Sequence, residues 1–117
     1  MSNIYDSAYS LEKSIRESQE FNVLKETFEV VMNDDDSKKL FEDFRNKQIE
    51  IKEKQMQGQE ITEDELEKVK HVVELVQQHD DISKLMDAEQ RLNLVINEIS
   101  QIITKPLEEL YSVNEQS

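Results

Sequence analysis

The chain has neither cysteine nor tryptophan, and one glycine and one proline serve all of its 117 residues. Without cysteine there is no disulfide framework and no thiolate site for zinc or an iron–sulfur cluster. A lone Gly58 excludes a glycine-rich phosphate loop. Together with the single Pro106 it leaves too little turn chemistry for a sheet-rich fold. No uninterrupted apolar run approaches the roughly 20 residues that span a bilayer. The opening Met1-Ser2-Asn3-Ile4-Tyr5-Asp6 lacks the basic and apolar regions of a signal peptide. A soluble, cytoplasmic protein without membrane association is expected.

Helix formers fill the space left by these absences. Hydrophobic residues make up 36% of the chain and charged residues 35%, and Glu, Lys, Gln and Leu dominate. The length suits one helical domain over residues 1–117, with one modest core. The formal charge is −13. Residues 1–57 hold 13 acids and 9 bases, or −4, and residues 58–117 hold 14 acids and 5 bases, or −9. Such a field repels nucleic-acid phosphates and anionic lipid, so direct binding to either is not expected.

Apolar spacing divides the chain into five predicted helices. The first covers about 4–17 with Asn3 as cap, and Ile4, Ala8, Leu11 and Ile15 form one stripe. The second begins near Ser18 and carries Phe21, Leu24, Phe28 and Val31. After Asn33-Asp34-Asp35-Asp36, a third helix capped by Asp36 or Ser37 runs to about Gln57 and stops at Gly58. Leu40, Phe41, Phe44 and Ile51 form its apolar side, which thins beyond Gln48; residues 50–57 are expected to project or to meet another subunit. Thr62-Glu63-Asp64-Glu65 matches a capping box and starts the fourth helix, with Leu66, Val69, Val73 and Val76 on one face. His79-Asp80-Asp81 breaks the chain again, with an aspartate expected as cap.

The fifth helix is the most apolar. Read as heptads, Ile82, Glu89, Ile96 and Ile103 take the a positions and Leu85, Leu92 and Ile99 the d positions. Six of these seven are Ile or Leu, a coiled-coil-like seam that Val95 and Ile102 widen. Pro106 should interrupt this helix near Ile102, leaving Leu107, Leu110 and Tyr111 as a short further piece and residues 114–117 frayed. The predicted fold is an all-α antiparallel bundle of about five helices. It has a long helical hairpin, residues 37–57 against 63–78, and a coiled-coil-like C-terminal helix.

Catalytic chemistry finds little support. His71 has Glu67 and Glu74 nearby on its helix, but a catalytic metal normally recruits three protein ligands. His79 falls at a predicted helix end, where a cation would favour the C-terminal dipole. Asp34-Asp35-Asp36 lacks the alternation, glycine and terminal Glu of a calcium loop. No serine has partners in sequence that mark a nucleophile. Neither enzyme activity nor a cofactor nor a metal is expected.

Several segments together resemble one family. Leu40-Phe41-Glu42-Asp43-Phe44-Arg45, Lys54-Gln55-Met56-Gln57-Gly58-Gln59-Glu60-Ile61-Thr62, Leu85-Met86-Asp87-Ala88-Glu89-Gln90-Arg91 and Lys105-Pro106-Leu107-Glu108-Glu109-Leu110-Tyr111 look like the YlbF/YmcA family of Firmicutes, nearest its YheA-like branch of uncharacterised proteins. The resemblance covers essentially the whole chain. It implies an α-helical regulatory protein that forms homodimers or larger assemblies. YlbF and YmcA work with a third protein, YaaT, in ribonuclease Y-dependent RNA maturation, competence, sporulation and biofilm formation. Their iron–sulfur clusters are held by cysteines, which this chain lacks.

The expected function is therefore that of a non-enzymatic adaptor or regulator acting through protein contacts and self-association. Leu85, Leu92, Ile96, Ile99 and Ile103, with Ile51 and Met56 on the third helix, are the candidate helix-packing or oligomer surface. The alternative is an acidic nucleic-acid mimic that occupies a basic protein partner. That reading requires the acids to lie along one face.

Overall fold

A computed structural model describes the backbone of residues 3–116 and the side chains of residues 3–112. The helices are α1 (Ile4–Glu17), α2 (Gln19–Met32), α3 (Asp35–Met56), α4 (Glu63–Gln78) and α5 (Asp80–Gln116). Among the described residues there is no strand, and the chain forms the expected all-α bundle.

Local chemistry accounts for each boundary. The Asn3 side chain accepts from the Tyr5 N–H at 3.1 Å, which starts α1. Ser18 is a one-residue break in extended conformation, ψ 153°, between α1 and α2. Its N–H donates to the Ile15 carbonyl, and its hydroxyl oxygen accepts from the Phe21 N–H at 3.2 Å. The α3 cap is Asp34, earlier than the expected Asp36 or Ser37. Its carboxylate accepts from the Ser37 N–H at 3.2 Å, and this sets Asp35 and Asp36 in the first turn, where the helix dipole favours negative charge.

Gly58 ends α3 with φ +72°, a conformation that side chains other than hydrogen resist. The Gln59 N–H donates to the Lys54 carbonyl at 2.9 Å and the Gly58 N–H to that of Gln55 at 3.2 Å, the paired bonds of a Schellman stop. Thr62 caps α4 as its motif predicts, accepting from the Glu65 N–H at 3.2 Å. The Glu65 carboxylate does not close the box on Thr62; it pairs with Lys54 across the hairpin.

Helix α5 departs from expectation at both ends. Its cap is His79 rather than an aspartate: the His79 carbonyl accepts from the Ser83 N–H at 2.9 Å, and Nδ1 accepts from the Ile82 N–H at 3.4 Å. Pro106 does not interrupt it. The proline deletes only the bond that would reach the Ile102 carbonyl, and this stretch is exposed, so that oxygen is open to solvent and its lost bond need not break the helix. Leu107, Leu110 and Tyr111 thus belong to one 37-residue helix. Of the segment expected to fray, residues 114–116 are helical and Ser117 lies outside the described residues.

The core is Val31 from α2, Phe41 and Phe44 from α3, Val76 from α4, and Ile82 and Leu85 from α5. Each such side chain, fully buried, stabilises the fold by about 1.5–3 kcal/mol. Leu24, Met32, Leu40, Val72, Val73 and Met86 pack around it. The predicted α3–α4 hairpin is present and rests on α5. The most extensive packing, however, is between α2 and α5. Their shared clefts set Gln19 and Glu20 beside Val95 and Glu98, and Thr27 beside Lys84 and Asp87, so the two helices run antiparallel. Arg45 fastens α3 to α5 by pairing with Glu89 while its guanidinium lies 5.2 Å from the centre of the Phe41 ring.

Candidate interaction surface

The apolar stripe of α5 is continuous, but its cover is not. Ile82, Leu85, Ala88 and Leu92 are buried within the chain. At 100° per residue the same face continues through Ile96, Ile99, Ile103, Leu107 and Leu110. There Ile99 is half-buried, Ile96 is 40% exposed and Ile103 66% exposed, with Leu107 and Leu110 similarly open. The predicted seam therefore divides. Leu85 and Leu92 serve the chain's own core, while Ile96 and Ile103 face outward on a helix that has outrun α2.

Helix α1 is uncovered in the same way. It buries no residue: Leu11 and Ile15 are half-buried near Phe21, and Ile4 is 79% exposed with Tyr5 and Tyr9 open beside it. Among the described residues α1 packs only on α2 and makes no contact with α5. Two apolar arms therefore leave the same end of α2 and stay apart.

The dimensions measure what is left open. The radius of gyration is 19.3 Å, against about 13 Å for a compact chain of this length. The accessible surface is 9706 Å² for 13.8 kDa, against about 6,600 Å² for a typical folded monomer of that mass. The excess is about 3,000 Å².

The α3 residues of the predicted surface lie elsewhere, near the hairpin tip. Ile51 is half-buried against α4 in a cleft of about 410 Å³ that it shares with Val69, Lys47, Glu53 and Lys68, whereas Met56 is exposed. Residues 50–57, expected to project from the core or to meet another subunit, lie beside α4 as the predicted hairpin requires, and the Lys54–Glu65 pair links the two helices there. Four i, i+4 spacings with the acid first, Glu12/Arg16, Asp43/Lys47, Glu50/Lys54 and Asp64/Lys68, predict helix-surface ion pairs; of these Glu12–Arg16 forms at 3.6 Å and Asp64–Lys68 at 3.3 Å. Lys47 turns to Glu50 at 3.9 Å instead of Asp43, and Lys54 turns to Glu65 instead of Glu50.

One polar constellation escaped the sequence reading, because its members are 42 positions apart. The Ser37 hydroxyl donates to the Asp34 carboxylate at 2.5 Å and accepts from Nε2 of His79 at 2.8 Å. The proton order follows from the neighbours. His79 Nδ1 faces the Ile82 N–H and must accept, so Nε2 carries the hydrogen. A hydrolytic triad runs the other way, with serine donating to histidine and histidine to the acid. Ser37 is moreover 1% exposed, beyond the reach of a substrate. The cluster ties the starts of α3 and α5 together; His79 stands at the C-terminal end of α4, as expected, and its ring also serves the beginning of α5. The two bonds from Ser37, with His79 nearby, hold the Asp34 carboxyl below its ordinary value. His71 stands exposed on α4. Among the described residues no group of three His, Asp or Glu side chains is arranged to hold a metal, and no helix is long and apolar enough to cross a membrane.

Comparison with known proteins supplies the lineage. Residues 4–108 match the family model described as control of competence regulator ComK, YlbF/YmcA. A UPF0342 protein of Oceanobacillus iheyensis is 60% identical over the full length of both chains. Another, from Bacillus cytotoxicus, is 56% identical over 94% of each. Among solved structures, a protein of unknown function (DUF964) from Bacillus stearothermophilus superposes with a TM-score of 0.83 at 38% identity, covering 92% of this chain and 95% of that one. YheA from Bacillus subtilis does so with a TM-score of 0.74 at 42% identity, covering 94% and 100%. None of these names carries an enzymatic activity. With the expected helical order in place and the match running through all five helices, the chain belongs to the YlbF/YmcA family.

Proposed function

We propose that this chain is a non-enzymatic regulatory protein that works through protein–protein contacts and does so as a self-associated unit. The observation that carries this reading is the uncovered stripe on α5, from Ile96 through Leu110, which continues a face buried elsewhere in the same helix. An exposed apolar band of this length is costly in water and marks an interaction surface. The family's description points to control of competence as the setting, and the likeness to YlbF and YmcA extends the reading to RNA processing or developmental regulation.

The mimic reading draws no support from the helices. Bases stand among the acids on all five, Lys13, Lys25, Lys38, Lys68 and Lys84 being examples, and no observation sets the acids along one face.

Size-exclusion chromatography with light scattering tests the proposal. The expected mass is at least twice the 13.8 kDa of one chain, falling toward one chain in the Ile103→Asp variant. Affinity capture from a Gram-positive host should yield a reproducible partner that the variant loses. A strictly monomeric parent without such a partner overturns the reading.

A further inference from the structure

The two open arms have complementary needs. Helix α1 is 14 residues long with no buried side chain, and isolated helices of that length are marginal in water. Its packing on α2 half-buries Leu11 and Ile15 and leaves Ile4, Tyr5 and Tyr9 uncovered. On α5, Ile96 and Ile103 occupy a positions and Ile99 a d position. Isoleucine at both positions favours three or four helices around a seam over two. A pair of α5 arms alone would leave that seam underfilled.

The arms also match in reach. Ile4 to Ile15 spans about 17 Å of helix and Ile96 to Leu110 about 21 Å. They start side by side, since α1 ends where Gln19 lies against Glu98, and then diverge without contact. Each chain therefore presents a V with apolar side chains on both limbs.

We infer that two copies of this chain interlock about a twofold axis, each α1 lying on the α5 arm of the other copy, so that two α1 and two α5 arms form one four-helix layer. The inference rests on the self-association reading and names its geometry. A twofold contact repeats every pairing, so both exposed stripes of both chains are covered at once. The area fits: obligate homodimers bury about 2,000–5,000 Å² in total, which the excess of about 3,000 Å² per chain accommodates. Other exposed apolar residues, such as Phe28 on α2 and Ile49 on α3, sit on helices whose main face is already buried.

The absence of native cysteine makes the test direct. Tyr5→Cys and Tyr9→Cys variants are each mixed with Ile99→Cys or Ile103→Cys variants, allowed to exchange subunits, and oxidised. The expected product is a disulfide-linked pair with one chain of each kind, identified by mass spectrometry. Tyr9→Glu should weaken dimerisation at least tenfold in sedimentation equilibrium. A parent that dimerises while none of the four mixtures links and Tyr9→Glu dimerises within threefold of it overturns the interlock and leaves self-association standing. A monomeric parent overturns both.

Discussion

Replacing Ile103 by alanine separates a surface that is merely exposed from one covered by a partner. In a single chain the side chain is 66% exposed, so its loss should barely disturb the fold. Covering that two-thirds in a dimer is a different matter. Full burial of an isoleucine is worth about 1.5–3 kcal/mol, so the covered part is worth about 1–2 kcal/mol per chain and about 2–4 kcal/mol per symmetric dimer. At about 1.4 kcal/mol per tenfold, the dissociation constant should rise about 30- to 700-fold. Sedimentation equilibrium over a wide concentration range reads this directly. Leu85→Ala supplies the contrast: the side chain is wholly buried within the chain, and its loss should cost about 2–5 kcal/mol of stability. An Ile103→Ala protein whose dissociation constant stays within threefold of the parent would refute the argument that the distal stripe is an interface.

Ser37→Ala removes the hydrogen bonds of a buried hydroxyl, which links α3 to His79, and should cost about 0.5–1.5 kcal/mol in urea unfolding. No loss there would mean that the tie between α3 and α5 is dispensable. Because Asp34 is held below its ordinary value by Ser37, its contribution is complete above the usual aspartate range and disappears as pH falls through the lowered value. The stability gap between the parent and Asp34→Asn should accordingly be constant near neutrality and narrow below about pH 4; a gap unchanged at both ends contradicts the assignment. Gly58→Ala meets no atom within 4 Å, so its cost is conformational alone, about 1 kcal/mol and visible as a lower melting temperature. An unaltered melting temperature would count against a strained stop.

The helices were legible because their signals are local. Asn3, Ser18, Gly58 and Thr62 each act within a few residues, and each marks the boundary its chemistry predicts. Asp34 is not distinguishable as the cap in sequence, because three consecutive aspartates offer the same side chain and only the position of the Ser37 N–H decides among them. Pro106 predicts a break because the rule concerns a lost bond, and sequence does not show whether the bared carbonyl is open to solvent. The seam of α5 was visible in full, but where its cover ends was not. Periodicity records which residues share a face; the length of the antiparallel α2 settles how much of that face is occupied. The Ser37–His79 contact lay out of reach for the same reason, since it depends on how two loops meet in space.

The core draws Val31 together with Ile82 and Leu85, side chains about fifty residues apart, and the second group belongs to the helix that is translated after the other four. During synthesis α2 must therefore wait, its inner face unpaired, until the first turns of α5 leave the ribosome. Refolding should show a concentration-independent phase for that closure, and the proposed interlock adds a slower second-order phase after it. The nascent chain is most vulnerable to wrong contacts in the interval between the two.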